Sequence, residues 1–190
     1  MLAEDKLALL PLRQWVKPSG DAVLTFARRG LLDWLSRPDK FLITSCGTGG
    51  QILAAGEAAL ADAQAVLRQA YGALISFGEP TVHSYLDPAT STRMVPTMFL
   101  RLAAPRDHAP ALLQRLKERG ANLQEVELEA GRAVMRAEIR LADLLGFERE
   151  LEELTGDAAQ VLCWLLRYGP AAPGPGLQHA APRELGAAAR

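Results

Sequence analysis

The feature that most constrains this chain is an order of elements that occurs twice. Residues 7–16 form an apolar run broken by Pro18-Ser19-Gly20, which predicts a strand, although Leu7-Ala8-Leu9-Leu10 also suits a helix. Residues 21–36 place Leu24, Ala27, Leu31 and Leu35 on one helical face, with Ser19 or Asp21 as cap and Pro38 beyond the end. Gly30 inside that helix costs about 1 kcal/mol against Ala. Residues 41–44 and 51–54 then flank Cys46-Gly47-Thr48-Gly49-Gly50, a hairpin signal. Residues 57–71 keep Leu60, Ala63, Leu67 and Ala70 in helical phase up to Gly72. A short strand at 73–77 and an edge extension at 81–86 close the first β-α-β-β-α-β unit.

The second unit repeats the order. A strand is expected at 96–103, then a helix over 107–119 with Asp107 as N-cap and Gly120 closing it. Residues 123–128 set Leu123, Val126 and Leu128 against Gln124, Glu125 and Glu127, and residues 133–139 alternate in answer. That pattern predicts a half-buried antiparallel hairpin with Glu–Arg pairs on its wet face. A helix follows over 141–155. The final strand, 160–168, is nearly all apolar and is expected to be central. The fold class is therefore α+β: two tandem ferredoxin-like (βαββαβ) domains, each an antiparallel sheet with helices on one face. The expected domains are residues 1–88 and 94–169. A polar Pro/Ser/Thr-rich linker at 87–95 joins them, and an Ala/Pro/Gly tail at 170–190 should be flexible.

Charge excludes some functions. The chain carries 21 Lys+Arg and 22 Asp+Glu, a formal net charge of −1. The first unit has 8 basic and 9 acidic residues and the second, from 89 to 169, has 11 and 12, so neither hides a basic partner inside a neutral average. A strongly basic nucleic-acid binder, DNA-directed or otherwise, is not expected. No run of about 18 apolar residues exists to cross a membrane. Met1-Leu2-Ala3-Glu4-Asp5-Lys6 does not read as a signal peptide. Two distant cysteines, Cys46 and Cys163, read as reduced, buried or half-buried thiols in a cytoplasmic chain.

The second unit resembles the C-terminal domain of translocation GTPases of the elongation factor G type. The resemblance rests on Val134-Met135-Arg136-Ala137-Glu138-Ile139-Arg140-Leu141-Ala142-Asp143-Leu144-Leu145-Gly146-Phe147, followed by Glu148-Arg149-Glu150-Leu151-Glu152-Glu153-Leu154-Thr155. The first unit resembles the third domain of that family, through Lys17-Pro18, Ser36-Arg37-Pro38-Asp39, Ile52-Leu53-Ala54-Ala55-Gly56-Glu57-Ala58-Ala59-Leu60 and Gly78-Glu79-Pro80-Thr81-Val82-His83-Ser84-Tyr85. The resemblance implies a non-catalytic module related to the third and fifth domains, able to bind a ribosome or ribosomal protein. The GTPase and fourth domains are missing. No GxxxxGK[ST] loop occurs, so no nucleotide cofactor and no GTPase activity are expected of this sequence. Leu151-Glu152-Glu153 and Gly156-Asp157-Ala158-Ala159 put acids where the family tends to carry bases, which lowers affinity for rRNA.

Candidate contacts follow. Arg115, Lys117 and Arg119 are a basic cluster suited to rRNA or a ribosomal protein; Arg28-Arg29 is the other basic pair. Glu148, Glu152 and Glu153 form either a solvated face or a docking surface for a basic protein. Cys46-Gly47-Thr48-Gly49-Gly50 is either a hairpin turn needing positive φ or an anion nest. His83, His108 and His179 have no ligand-spaced partners, so no metal is expected. Ser45-Cys46 lacks a His partner for nucleophilic work. Trp15, Trp34 and Trp164 are expected in strand or helix interiors, and Phe99 with Trp164 is too little for an RNA-stacking platform. The alternative to a translation-factor module is a stand-alone ligand-sensing or self-associating tandem of ferredoxin-like domains.

Overall fold

The computed structural model describes residues 9–26 and 29–171. The tail from 172 onward, Arg28 and the first eight residues lie outside the described residues, as does the Arg29 side chain. Two antiparallel sheets carry the chain. The first contains β1 (Leu12–Pro18), β2 (Phe41–Cys46), β3 (Gly49–Ala54), β4 (Ile75–Phe77) and the two-residue β5 (Thr81–Val82), in the order β2-β3-β1-β4 with β5 beside β1. The second contains β6 (Tyr85–Leu86), β7 (Arg93–Pro105), β8 (Asn122–Glu129), β9 (Arg132–Arg140) and β10 (Gln160–Pro170), in the order β10-β7-β9-β8 with β6 beside β7. Both orders place the first and third strands centrally and the fourth at an edge, so the α+β expectation of two ferredoxin-like domains holds.

The helices follow the periodicity in part. Within residues 21–36 the described residues are helical over α1 (Ala22–Phe26) and α2 (Arg29–Leu35), and residues 27 and 28 between them lie outside the described residues. Their buried residues are Ala22, Phe26 and Leu32, while Leu24 is 74% exposed and Leu31 is exposed as well. The expected inner face is thereby corrected, since Leu24 and Leu31 stand in solvent while Phe26 and Leu32 take the buried side. Ser19 is not a side-chain cap: its hydroxyl donates to the Leu74 carbonyl at 3.1 Å. By contrast α3 (Glu57–Tyr71) runs as expected, burying Leu60, Ala63 and Leu67.

In the second unit, a 3-10 turn precedes α4 (Ala109–Glu118), so His108 rather than Asp107 holds the N-cap position. Residues 141–155 divide into α5 (Leu141–Leu144) and α6 (Phe147–Thr155). The break is Gly146, at φ 78°, a left-handed conformation that glycine adopts at little cost. The hairpin of β8 and β9 pairs Arg136 with Glu125 and Glu127 on its wet face, as its alternation predicts. A register shift between Leu123 and Glu125 brings Val126 onto the same face as Leu123 despite their three-residue spacing.

The first core has a polar seam. Buried Gln14 donates to the Gly78 carbonyl at 2.7 Å and accepts from Gln64 at 2.7 Å, so its amide is satisfied despite its burial. The Gly47 turn has φ 59°, in keeping with the hairpin reading. Thr81 to Leu86 is not one edge extension. β5 joins the first sheet and β6 the second, so the chain passes from one to the other at His83-Ser84.

The final strand departs most from expectation. β10 pairs only with β7 and is an edge, not a centre. Val161, Cys163 and Leu165 face the helices, whereas Leu162 and Trp164 stand on the open face, 55% and 48% exposed. An apolar run alone does not distinguish burial on both faces from an apolar edge. The tryptophans follow suit: Trp15 lies on the outer face of β1, and Trp34 on α2 is 90% exposed.

Candidate functional site

The two halves meet where α3 begins and where α5 gives way to α6. Gly56 and Gly146 hold the N-cap positions of α3 and α6, and neither helix start receives a side-chain cap from its own cap residue. The first N–H groups of a helix have no partner within it. Glu57 supplies one across the domain boundary: the Gly146 N–H donates to both oxygens of its carboxylate, at 3.0 and 2.9 Å. A carboxylate beside two helix N-termini is favourably placed.

Beside this contact lies a cleft of about 410 Å³. Ala55, Gly56, Ala58 and Ala59 from the first domain form one wall, and Leu141, Leu144, Phe147, Val161 and Cys163 from the second form the other. Lys40, Glu57 and Glu148 are its charged residues. Most of the lining is apolar, and its size falls in the range of small-molecule pockets, which favour domain boundaries. A more open depression of about 430 Å³ shares Glu57, Ala58 and Glu148 and adds Arg149 and Glu152.

The charges in the cleft are unevenly matched. Lys40 pairs with Asp62 at 3.4 Å. Glu57 and Glu148 have no ion-pair partner among the described residues. Much of Glu148 is in solvent, but its carboxyl lies against the cleft, where burial and then the Glu57 charge push its pKa above the usual carboxyl range. Burial, assisted by Glu148, pushes the Cys163 thiol up to about 12. Cys163 is therefore a thiol at neutral pH and lacks the electropositive surroundings of a reactive cysteine. Cys46 is exposed at the β2–β3 turn, not half-buried as expected.

The residues singled out from sequence come apart in space. Arg119 is 19% exposed on its side chain and binds inward, to Glu150 at 2.8 Å and to the Asp143 and Leu145 carbonyls at 2.6 and 3.0 Å. Its guanidinium also lies over the Phe147 ring, 5.6 Å from the centroid. Arg115 pairs with Glu118 one turn on at 3.2 Å. Of the three cations, only Lys117 has no partner among the described residues. Glu148 turns to the cleft, Glu152 borders the open depression, and Glu153 pairs with Arg149 at 3.2 Å. No group of three His, Cys, Asp or Glu residues suited to a metal ion occurs among the described residues. His83, whose pKa is held down by burial and by Arg13, packs edge-on against Tyr168 at the domain crossing.

Sequence reasoning missed the cleft, because its walls come from segments 89 residues apart that carry no shared chemical signature. Phe99 and Trp164, named together from the sequence, do meet: strand pairing stacks them at 4.7 Å on neighbouring strands.

Neither a family profile nor a curated protein sequence matches the chain. Among solved structures, the chain is similar to a crystal structure of a Thermus thermophilus protein, at 15% identity with a TM-score of 0.58. That match covers 85% of this chain and 41% of the Thermus protein, so this chain spans less than half of its neighbour's length. At such identity the likeness is one of fold. No helix among the described residues is long and apolar enough to cross a membrane.

Proposed function

We propose that this chain is a non-catalytic, two-domain binding module of the elongation factor G type, acting at a ribosome or a ribosomal protein. One observation carries the reading. The two stretches that resemble the family, around Gly56-Glu57 and around Leu145-Gly146-Phe147, meet at the hydrogen bonds from Gly146 to Glu57. Segments selected independently by one family's pattern thus converge on a single contact. The candidate contact surface is the exposed side of α4, with Arg115 and Lys117, beside the acidic outer face of α6.

With Arg119 engaged inward, few cations remain for phosphate. Sedimentation of the purified chain with ribosomes at two salt concentrations tests the reading. Pelleting that weakens only shallowly with salt is the expected result, since few phosphate contacts are available. Absence of pelleting at low salt overturns it.

A second reading, a ligand-sensing tandem of ferredoxin-like domains, is favoured by the mostly apolar inter-domain cleft. Its test is a thermal-shift response to small apolar compounds, which a pure ribosome-binding module does not require.

A further inference from the structure

We propose that the inter-domain cleft is a binding site for a small molecule with an apolar body and a primary ammonium group. The apolar body would lie between the Ala58–Ala59 wall and Phe147 with Val161, and the ammonium would sit by Glu57 and Glu148. This inference rests on the ligand-binding reading and adds the ligand's chemical class.

Three observations lead to it. The cleft is about 410 Å³ and mainly apolar, enough to enclose an aromatic or aliphatic body. Among the described residues, its two charges without an ion-pair partner, Glu57 and Glu148, are both negative, while its one cation, Lys40, is matched by Asp62. Among the described residues, Glu57 accepts hydrogen bonds only from the neutral Gly146 N–H, and no cation of theirs compensates its charge. An ammonium complements this arrangement, and an anion would be repelled by it. Hydrogen bonds between charged groups exceed neutral ones in strength, so an alcohol of the same shape would bind less well.

The pair also makes binding proton-linked. Burial and then the Glu57 charge raise the pKa of Glu148 in the free protein. An ammonium beside it favours the carboxylate. Within the range where Glu148 titrates, amine binding should therefore release a proton from it, which an alcohol cannot cause.

The test uses 4-phenylbutylamine and 4-phenylbutan-1-ol as probes with the whole chain, by titration calorimetry in two buffers of different ionisation enthalpy. Expected is binding of the amine about tenfold tighter than the alcohol, with a buffer-dependent enthalpy for the amine alone. Glu148→Gln should abolish the buffer dependence and narrow the preference while the fold, read by circular dichroism, is kept. Ala58→Trp, at an exposed lining position, should weaken both probes. Equal affinity for the two probes overturns the amine assignment and leaves the ligand-binding reading standing. No binding of either overturns both, and amine binding unaffected by Glu148→Gln and Ala58→Trp places the site elsewhere and overturns the proposal.

Discussion

Arg119 binds inward through all three of its guanidinium nitrogens, and its neighbours explain why. The break at Gly146 leaves the Asp143 and Leu145 carbonyls without helical partners, and the planar guanidinium reaches both while stacking on Phe147. Arg119→Ala should destabilise the chain by about 1–3 kcal/mol in urea unfolding, because half-buried carbonyls lose their donor. Arg119→Lys should restore little of this, since an ammonium lacks the fork. Arg115→Ala, which removes an exposed pair, should lie within about 0.5 kcal/mol of the parent. Glu148 and Glu150 give opposite pH signatures two residues apart. Glu148 has a raised pKa, so its contribution favours folding below the unfolded carboxyl range and is lost as pH rises through the folded value. Glu150 is held low by hydrogen bonds from Arg119, so its contribution is present above the ordinary range and is lost as pH falls. Between about pH 4 and 7, Glu148→Gln should gain stability relative to the parent as pH rises. Glu150→Gln should lose stability relative to the parent as pH rises toward the ordinary carboxyl value of about 4.3, with the difference level above it. Thermal melts across both ranges check both signs.

At the scale of elements, glycine placement decides what each segment tolerates. A Cβ on Gly50 of β3 would come within 2.2 Å of Phe26 Cε1 and 2.8 Å of the Thr44 carbonyl oxygen. The helix α1 can approach the sheet only because this position is bare. Gly50→Ala should cost about 1–3 kcal/mol through overpacking. Gly30 in α2 has open space around its missing Cβ, so Gly30→Ala should stabilise by about 0.4–1 kcal/mol. Denaturant midpoints of the two variants should move in opposite directions. The same scale shows what the sequence made legible. Long periodic elements such as α3, and the strand β9, were readable because one face of each is buried, whereas the expected half-burial of β8 is corrected: its Leu123, Val126 and Leu128 are exposed. The break at Gly146 within 141–155 was not legible, since a break changes phase without changing composition. β10 was misplaced because its residues 161–166 are apolar on both faces, though only the helix side is covered. The cleft carried no local signal at all: alanines and leucines of an ordinary core line most of it.

At the scale of the whole molecule, two polar ties among the described residues join the halves, beside the apolar packing that makes their buried residues one cluster. One is the crossing at His83-Ser84. The His83 N–H donates to the Pro11 carbonyl at 2.7 Å in the first half, and its ring meets Tyr168 of the second. The other is Glu57 on Gly146. Between domains joined by a limited interface, relative motion is the ordinary expectation, and a cleft at the boundary leaves room for it. A chain held at two points resists rotation about either, whereas one tie alone acts as a hinge. Glu57→Ala removes the second tie and leaves both cores intact. Hydrogen bonds to a charged group contribute about 1.5–3 kcal/mol, so the opened arrangement should become roughly tenfold or more populated. Limited proteolysis across residues 83–92 reads that change. The variant should be cut at that crossing several-fold faster than the parent, with fragments that stay folded by circular dichroism. Small-angle scattering should broaden the distance distribution in the variant. Unchanged cleavage and scattering would mean that the crossing at His83 and the apolar packing fix the domains without Glu57.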